Sequence, residues 1–255
     1  MIDWWSDPDC VDEAGRPLFA TMAQVFALEG EAVSSDPLAS VIRARFGGKC
    51  YYVKRYVGNG RSWQRHWFGL RQWQVRPRVR KEWENHLAFQ SWGIPTAKLV
   101  AYGLERQWGG FRRGALVTEE IVGACDLARL ANQRDERLRD RGWLAAVSWQ
   151  IARIARAMHD HGFAHNDLKW RNILIVDEGQ PQVYLIDCPS GGYWWRPFLD
   201  YRIIKDLACL DKVGKYHLSR VQRLRFFLDY RQHARLNDED KRMVRKILKF
   251  FEGRE

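Results

Sequence analysis

No run of eighteen apolar residues occurs anywhere in the 255-residue chain, so the sequence offers no segment that crosses a bilayer as a helix. The opening MIDWWSDPDC lacks the basic-then-apolar layout of a secretory signal, which predicts that the protein stays in the compartment where it is made. Cysteine is scarce. The five present (Cys10, Cys50, Cys125, Cys188, Cys209) are an odd number without a Cys-x-x-Cys pair, which argues against a disulfide framework or zinc site and for a reducing compartment. They read as small buried hydrophobes, with Cys188 alone placed where a reactive thiol is conceivable. Internal repeats and low-complexity segments are absent too.

Acid is short relative to base. Lys and Arg number 42 against 31 Asp and Glu, a net charge of +11, and tryptophan is abundant at 13. That balance suits a polyanionic partner: nucleic acid, an anionic membrane face or a phosphorylated substrate. With 46% apolar and 29% charged residues, the chain has the composition of a soluble globular protein. Its length allows a full core in one domain or two small lobes.

The chain is organised around HGFAHNDLKWRNILI, residues 161–175, and the aspartate of VYLIDCPSG. Asp167 follows His165-Asn166, Lys169 comes two residues later, and Asn172 comes five after the aspartate. The apolar runs 173–176 and 183–186 read as two short strands joined by a turn, the second delivering Asp187. Phosphoryl transfer needs an oriented hydroxyl, a metal bridging the phosphates and cations against the developing charge. Asp167 suits the proton acceptor and Lys169 the migrating phosphoryl oxygens. Asn172 and Asp187 suit Mg²⁺. The pattern is His-Asn-Asp-Leu-x-x-x-Asn followed by Asp-Cys-Pro, beside the kinase template His-Arg-Asp-Leu-x-x-x-Asn followed by Asp-Phe-Gly.

Around this loop, residues 1–20 read as an irregular arm. The apolar runs MAQVFALEGEAV, SVIRARF and CYYVKRYV read as a three-stranded antiparallel meander over 22–60, with Gly47-Gly48 as a hairpin turn. Lys54 falls inside the third strand, where the template places the lysine that grips nucleotide phosphates and pairs with a helix glutamate. No Gly-x-Gly-x-x-Gly precedes it, so the phosphate cover falls to the turn near Ser34–Ser40. Residues 59–81 interleave basic residues (Arg71, Arg76, Arg78 among them) with tryptophans such as Trp73, a pattern for a phosphorylated or interfacial ligand. RKEWENHLAFQS then reads as a helix stopped by Gly93, with Glu82 as partner for Lys54 and Glu84 as the fallback. TEEIVG, containing Glu119 and Ile121, sits where a hinge holding adenine by its backbone belongs. Trp143, Leu144, Val147, Ile151, Ile154 and Met158 mark a long helix with one buried face. Asp206, near the start of a further buried helix, suits a structural acceptor for loop N–H groups. Two amphipathic helices end the chain: one capped by Ser219, the other after Asn237, burying Met243, Val244, Ile247, Leu248 and Phe251.

With Lys54, Glu82, His165-Asn166-Asp167, Asn172 and Asp187 in order, residues 20–255 resemble the eukaryotic-type kinase superfamily. KEWENHLAFQSWGIPT, TEEIVG, HNDLKWRNILI, LIDCPSG and YRIIKDLACLDK narrow the resemblance to bacterial lipopolysaccharide core kinases, the heptose, Kdo and InaA-type proteins. The resemblance implies an α+β, two-lobed protein-kinase-like fold. Residues 21–122 form an N-lobe of antiparallel sheet plus one helix, and 123–255 a mostly helical C-lobe. ATP with Mg²⁺ is the implied phosphoryl source, and the acceptor is a hydroxyl on an inner-core sugar. The implied roles are catalysis for Asp167 and Lys169; ATP binding for Lys54, Glu82, Glu119 and Ile121; metal binding for Asn172 and Asp187; and support from His165 and Asp206. The partners implied are the core glycolipid and an anionic membrane surface, with no nucleic acid, at the cytoplasmic face of the inner membrane.

The sequence also departs from the superfamily. Asn166 stands for the arginine that meets a phosphorylated activation loop in regulated kinases, and Cys188-Pro189 for Phe-Gly. Only nineteen residues separate Asp187 from Asp206, leaving little platform for a peptide. A kinase for a soluble small molecule, a catalytically silent ATP-binding module and a nucleic-acid binder are the competing readings; the last leaves the Asp/Asn/Lys spacing unexplained.

Overall fold

The computed structural model describes residues 1–7, 9, 16–58, 76–108 and 110–253. Its contacts divide the chain into two units: Met1–His86 with Ala97–Ile121, and Leu87–Thr96 with Val122–Glu255.

Unit 1 contains β1 (Ile2–Ser6), α1 (Met22–Ala27), β2 (Glu31–Asp36), β3 (Ala39–Phe46), β4 (Lys49–Val57), the first part of α2 (Arg78–Ser91), β5 (Leu99–Gln107) and β6 (Gly110–Glu119). The strands form one antiparallel sheet in the order β1-β5-β6-β4-β3-β2. β5 is buried almost throughout because each of its faces meets a core. Val100 and Ala101 join Phe19, Val25 and Val53 in one cluster, while Leu99, Tyr102 and Leu104 join Val79 of α2 in the other. Fully burying such a side chain is worth about 1.5–3 kcal/mol, so both faces fix where β4 and its lysine lie.

Two expectations are corrected here. Residues 1–20 are not wholly irregular, because β1 pairs with β5 from Ile2 opposite Glu105 to Ser6 opposite Ala101. The close approach depends on Gly103, where a Cβ would stand 2.3 Å from Trp4 Cε3. The first strand of the meander is also shorter than its apolar run. Met22 and Val25 recur at a helical interval, and Thr21 caps α1 by accepting the Gln24 N–H. The strand starts only at Glu31; the rest of the meander, with its Gly47-Gly48 turn, is as expected.

Unit 2 holds the end of α2, then β7 (Cys125–Asp126), α3 (Leu127–Asn132), α4 (Arg141–Asp160), β8 (Phe163–Ala164), β9 (Ile173–Asp177), β10 (Pro181–Leu185), β11 (Gly192–Tyr193), α5 (Phe198–His217), α6 (Arg220–Arg231) and α7 (Asp238–Lys249). Its core joins Leu144, Val147, Ile151 and Met158 of α4 to Ile203, Leu207 and Leu210 of α5, with Phe227 and Ile247 from the last two helices. Asp140 caps α4, and reciprocal capping boxes start α6 (Ser219 with Gln222) and α7 (Asn237 with Asp240). On α7, Ile247 is buried but Leu248 is 52% exposed, against expectation; adjacent residues on a helix point about 100° apart. None of the helices among the described residues is long and apolar enough to cross a membrane.

Candidate active site

Unit 1 presents one cation on a rigid strand. β4 is hydrogen-bonded to β3 on one side and β6 on the other, placing Lys54 between Val41 and Leu116. Its Nζ meets Glu82 Oε1 at 3.0 Å, and the Tyr56 hydroxyl donates to Glu82 Oε2. Tyr56, two residues along β4 and so on the same face, also offers its ring to the ammonium at 5.5 Å. Glu82 is buried in the first turns of α2. Glu84 lies 200° further round the helix and pairs instead with Arg76 at 3.1 Å and Arg80 at 2.9 Å. Helical phase thus selects Glu82 as the partner of Lys54.

The segment proposed as a hinge leaves the sheet under its own ties. Glu119 closes β6 and pairs with Lys49 at 3.0 Å, and the Glu120 N–H donates to the Cys50 carbonyl. Arg43 grips Glu120 with both fork nitrogens, at 2.7 and 2.8 Å. That contact leads the effects that hold the Glu120 carboxyl below the usual range against the upward push of burial. Ile121 follows at the end of unit 1.

In unit 2, the long α4 ends at His161-Gly162 and β8 runs straight into the loop. The His165 N–H donates to Asp206 Oδ2 at 2.7 Å, so Asp206 acts as the loop's buried acceptor. It does so from the middle of α5 rather than near its start, because the helix begins earlier, at Phe198. Burial pushes the His165 pKa down, against the opposing pull of Asp206. Asn166 and Asp187 both sit in left-handed backbone, at φ +65° and +58°, a conformation Asn and Asp tolerate better than most residues. Such outliers concentrate at sites where the surroundings hold a functional geometry.

Asp167 is the focus of this loop. Lys169 Nζ lies 2.5 Å from Oδ1 and Arg171 Nη2 3.2 Å from Oδ2. Burial alone would raise its pKa, but the hydrogen bonds and charges of Lys169 and Arg171 hold it below the usual carboxylate range. The Asn172 amide donates to the Asp167 carbonyl at 2.8 Å, and the Ile186 N–H donates to the Asn172 carbonyl at 3.0 Å. Asn172 and the residue before Asp187 are therefore tied together. Asn172 Oδ1 and the Asp187 carboxylate are oxygen donors of the type Mg²⁺ takes, and these two residues would hold it. Among the described residues no cluster of three or more His, Cys, Asp or Glu forms a metal cage.

The structure therefore assembles Asp167, Lys169, Asn172 and the Asp187 strand end in unit 2, and Lys54 with Glu82 in unit 1. Three participants escaped the sequence reading. Tyr56 and Arg171 stood inside motifs already singled out. Arg202, whose Nη1 donates to Asn166 Oδ1 at 3.1 Å, lies 36 residues from its partner and carries no local signal. Asn166 in turn donates to the Ser190 carbonyl at 3.0 Å. The Cys188 thiol is buried, its Sγ 3.8 Å from the His165 carbonyl. Arg76 and Arg78 are exposed at the start of α2, while Arg71 and Trp73 lie outside the described residues.

Known proteins share this fold. A solved structure of WaaP in complex with acyl carrier protein superposes with a TM-score of 0.74 at 22% identity, covering 100% of this chain and 97% of that one. The fold is thus of the protein-kinase-like class. The model of the "Lipopolysaccharide kinase (Kdo/WaaP) family" matches residues 34–230, and the chain belongs to that family. A 3-deoxy-D-manno-octulosonic acid kinase from Actinobacillus succinogenes is 32% identical over 108 residues, 40% of this chain and 42% of the relative. Human serine/threonine-protein kinase 16 is 32% identical over 123 residues, 42% of this chain and 35% of the relative. The chain thus matches less than half the length of these curated relatives.

Proposed function

We propose that the protein is an ATP-dependent phosphotransferase acting on a hydroxyl of an inner-core lipopolysaccharide sugar, heptose or Kdo. The observation that carries this reading is Asp167 flanked by Lys169 and Arg171, with its carbonyl held by the Asn172 amide. Asp167 orients the acceptor hydroxyl and takes its proton. Lys169 and Arg171 then turn from the carboxylate to the migrating phosphoryl oxygens. Lys54, held by Glu82, grips the nucleotide phosphates, and the backbone around Glu119 and Ile121 meets the adenine. Asn172 and Asp187 would hold Mg²⁺, which would supply positive charge against the charge developing on the transferred phosphoryl. Arg71, Arg76, Arg78 and Trp73 meet the anionic glycolipid, so their replacement raises its KM. The curated Kdo kinase relative favours Kdo over heptose as acceptor.

The test is mass spectrometry of isolated lipid A-core incubated with the protein, ATP and Mg²⁺. A single added phosphate located on Kdo or heptose supports the reading, whereas transfer only to soluble small molecules overturns it.

An acyl carrier protein, the partner named for the solved relative, is proposed as a partner here as well. An apolar cavity of about 480 Å³ in unit 2, lined by residues such as Leu144, Leu207, Phe227 and Val244 with Arg220 and Arg223 also bordering it, suits an acyl chain. Co-purification with an acylated carrier and not with the unloaded one is the expected result.

A further inference from the structure

Unit 2 leaves a strip of aromatic rings in water immediately after the segment paired with the catalytic loop's strand. β11 pairs with β8, which leads into His165–Asp167, and the chain leaves β11 directly into Trp194 and Trp195. Trp195 is 71% exposed, Phe198 52% and Tyr201 48%. The strip is continuous: Trp195 meets Phe198 at 5.1 Å, Tyr201 follows one turn along α5, and Tyr201 meets Phe250 at 5.5 Å. A contiguous exposed aromatic patch of this kind marks an interaction surface.

What borders the strip defines the partner. Arg242, Arg245, Lys246 and Lys249 follow one another at three, one and three residues, so they share one face of α7. With Tyr201, Ile204 and Phe250 they line an open recess of about 700 Å³, which Glu252 also borders. No carboxylate among the described residues forms a salt bridge with any of the four cations. The acids at the start of α7 are committed elsewhere: Asp240 to Arg231 and His233, Glu239 to Arg231, Asp238 to Lys241. Asp200, near the strip, is held by Arg196 at 3.0 Å.

We infer that this aromatic and cationic face, Trp195–Phe198–Tyr201 with the α7 stripe, is a docking surface for an anionic lipid bilayer. Aromatic rings of this kind settle at the headgroup level, and Lys and Arg beside them draw anionic phosphates. An acidic protein would satisfy the cations but leaves the protruding Trp195 and Phe198 without an apolar phase. The chain enters this face from β11, the partner of the strand that leads into the Asp167 loop, which suits an acceptor anchored in a membrane; the biological use thus rests on the proposed glycolipid activity, while the binding itself does not.

The experiment is co-sedimentation of the whole protein with phosphatidylcholine vesicles carrying about one-third phosphatidylglycerol, or none, at ~0.15 M salt. Wild type should bind the anionic vesicles and not the neutral ones. R242Q/R245Q/K246Q/K249Q should lower partitioning on the order of a hundredfold or more, each cation near the surface being worth roughly fivefold. W195S/F198S should lower it about tenfold through lost apolar burial. Both variants alter only exposed side chains and should melt like wild type. They should also phosphorylate a delipidated core oligosaccharide at the wild-type rate while losing activity on core embedded in vesicles. Equal vesicle binding by wild type and the quadruple variant overturns the inference, as does binding to acidic proteins without binding to vesicles. A wild type that binds vesicles yet phosphorylates neither acceptor would overturn the proposed activity and leave the docking surface standing.

Discussion

The protein holds two clusters of opposite charge that obey different physics. Lys54 and Glu82 form a largely buried pair, the lysine side chain 19% and the glutamate 4% exposed, with Tyr56 occupying the second carboxylate oxygen. Asp167 is more open and shares its charge between Lys169 and Arg171, both well exposed and both from its own loop. Removing one member of a buried pair strands the other and costs about 3–5 kcal/mol, whereas exposed pairs contribute about 0–1 kcal/mol each. The first cluster therefore fixes geometry and cannot let go. The second can exchange partners at little cost, which is what the proposed reacting group requires.

The sharpest way to test the contrast is to remove the reacting group while keeping its shape. Asp167→Asn should lower kcat by on the order of 10²–10⁴, with nucleotide affinity nearly unchanged, as for loss of a positioned base. Asp187→Ala should abolish turnover and weaken nucleotide binding only when Mg²⁺ is present. Near-normal turnover of Asp167→Asn, measured in a steady-state kinase assay, would remove it from the chemistry. Equal loss of binding with and without Mg²⁺ would make Asp187 a folding residue.

A smaller effect is expected from the buried pair, and it should appear in stability as well as rate. Glu82→Ala should destabilise by about 3 kcal/mol, and Lys54→Met/Glu82→Ala by less than the sum of the single changes. Glu84→Ala, which breaks only exposed contacts, should cost under about 1 kcal/mol. Denaturant titration measures all four. If Glu84→Ala costs as much as Glu82→Ala, burial is not what separates the two glutamates.

That pair also shows what the sequence could and could not reveal. Lys54 was legible because a strand pattern and a kinase-like order of residues agree on it. The choice between Glu82 and Glu84 was open until helix phase was fixed, since α2 starts at Arg78 and only one of the two can face β4. α4 and α7 were legible because their period and caps are local. β1 was not, because its partner strand lies about a hundred residues away and its pairing depends on Gly103. Arg202, 36 residues from Asn166, was hidden in the same way, while Asp206 looked nearer a helix start because α5 begins earlier, at Phe198.

Asn166 allows the loop's rigidity to be tested apart from its charge. It joins the loop to the Ser190 carbonyl and to Arg202, whose guanidinium lies 4.4 Å from the Trp194 ring. This bridge stands where the kinase template has an arginine. Asn166→Gly preserves the left-handed backbone while removing both bonds, so it isolates the bridge from backbone strain. kcat should fall by roughly tenfold with KM for ATP little changed, and stability by about 1–2 kcal/mol. Asn166→Ala should be worse, because it adds the strain. A kcat unchanged in both would mean that the loop holds its shape without the bridge.

The smallest effect lies in the pH dependence of Asp167. Its folded pKa is depressed below the ordinary value of about 3.9, Lys169 and Arg171 outweighing burial. A group with a depressed folded pKa contributes stability above its unfolded pKa and loses it as pH falls through the folded value. The acid limb of kcat/KM due to this base should therefore lie on the acid side of the ordinary carboxylate range. Arg171→Met removes one stabilising cation and leaves the opposing effect of burial, so the limb should move to higher pH. Stability should change by under about 1 kcal/mol because the arginine is well exposed. A pH–rate profile and a melting curve on the same variant separate the two quantities. A limb that stays put or moves toward acid would mean that Arg171 does not act on the Asp167 carboxylate in solution, and the shared cluster would reduce to the Lys169 pair.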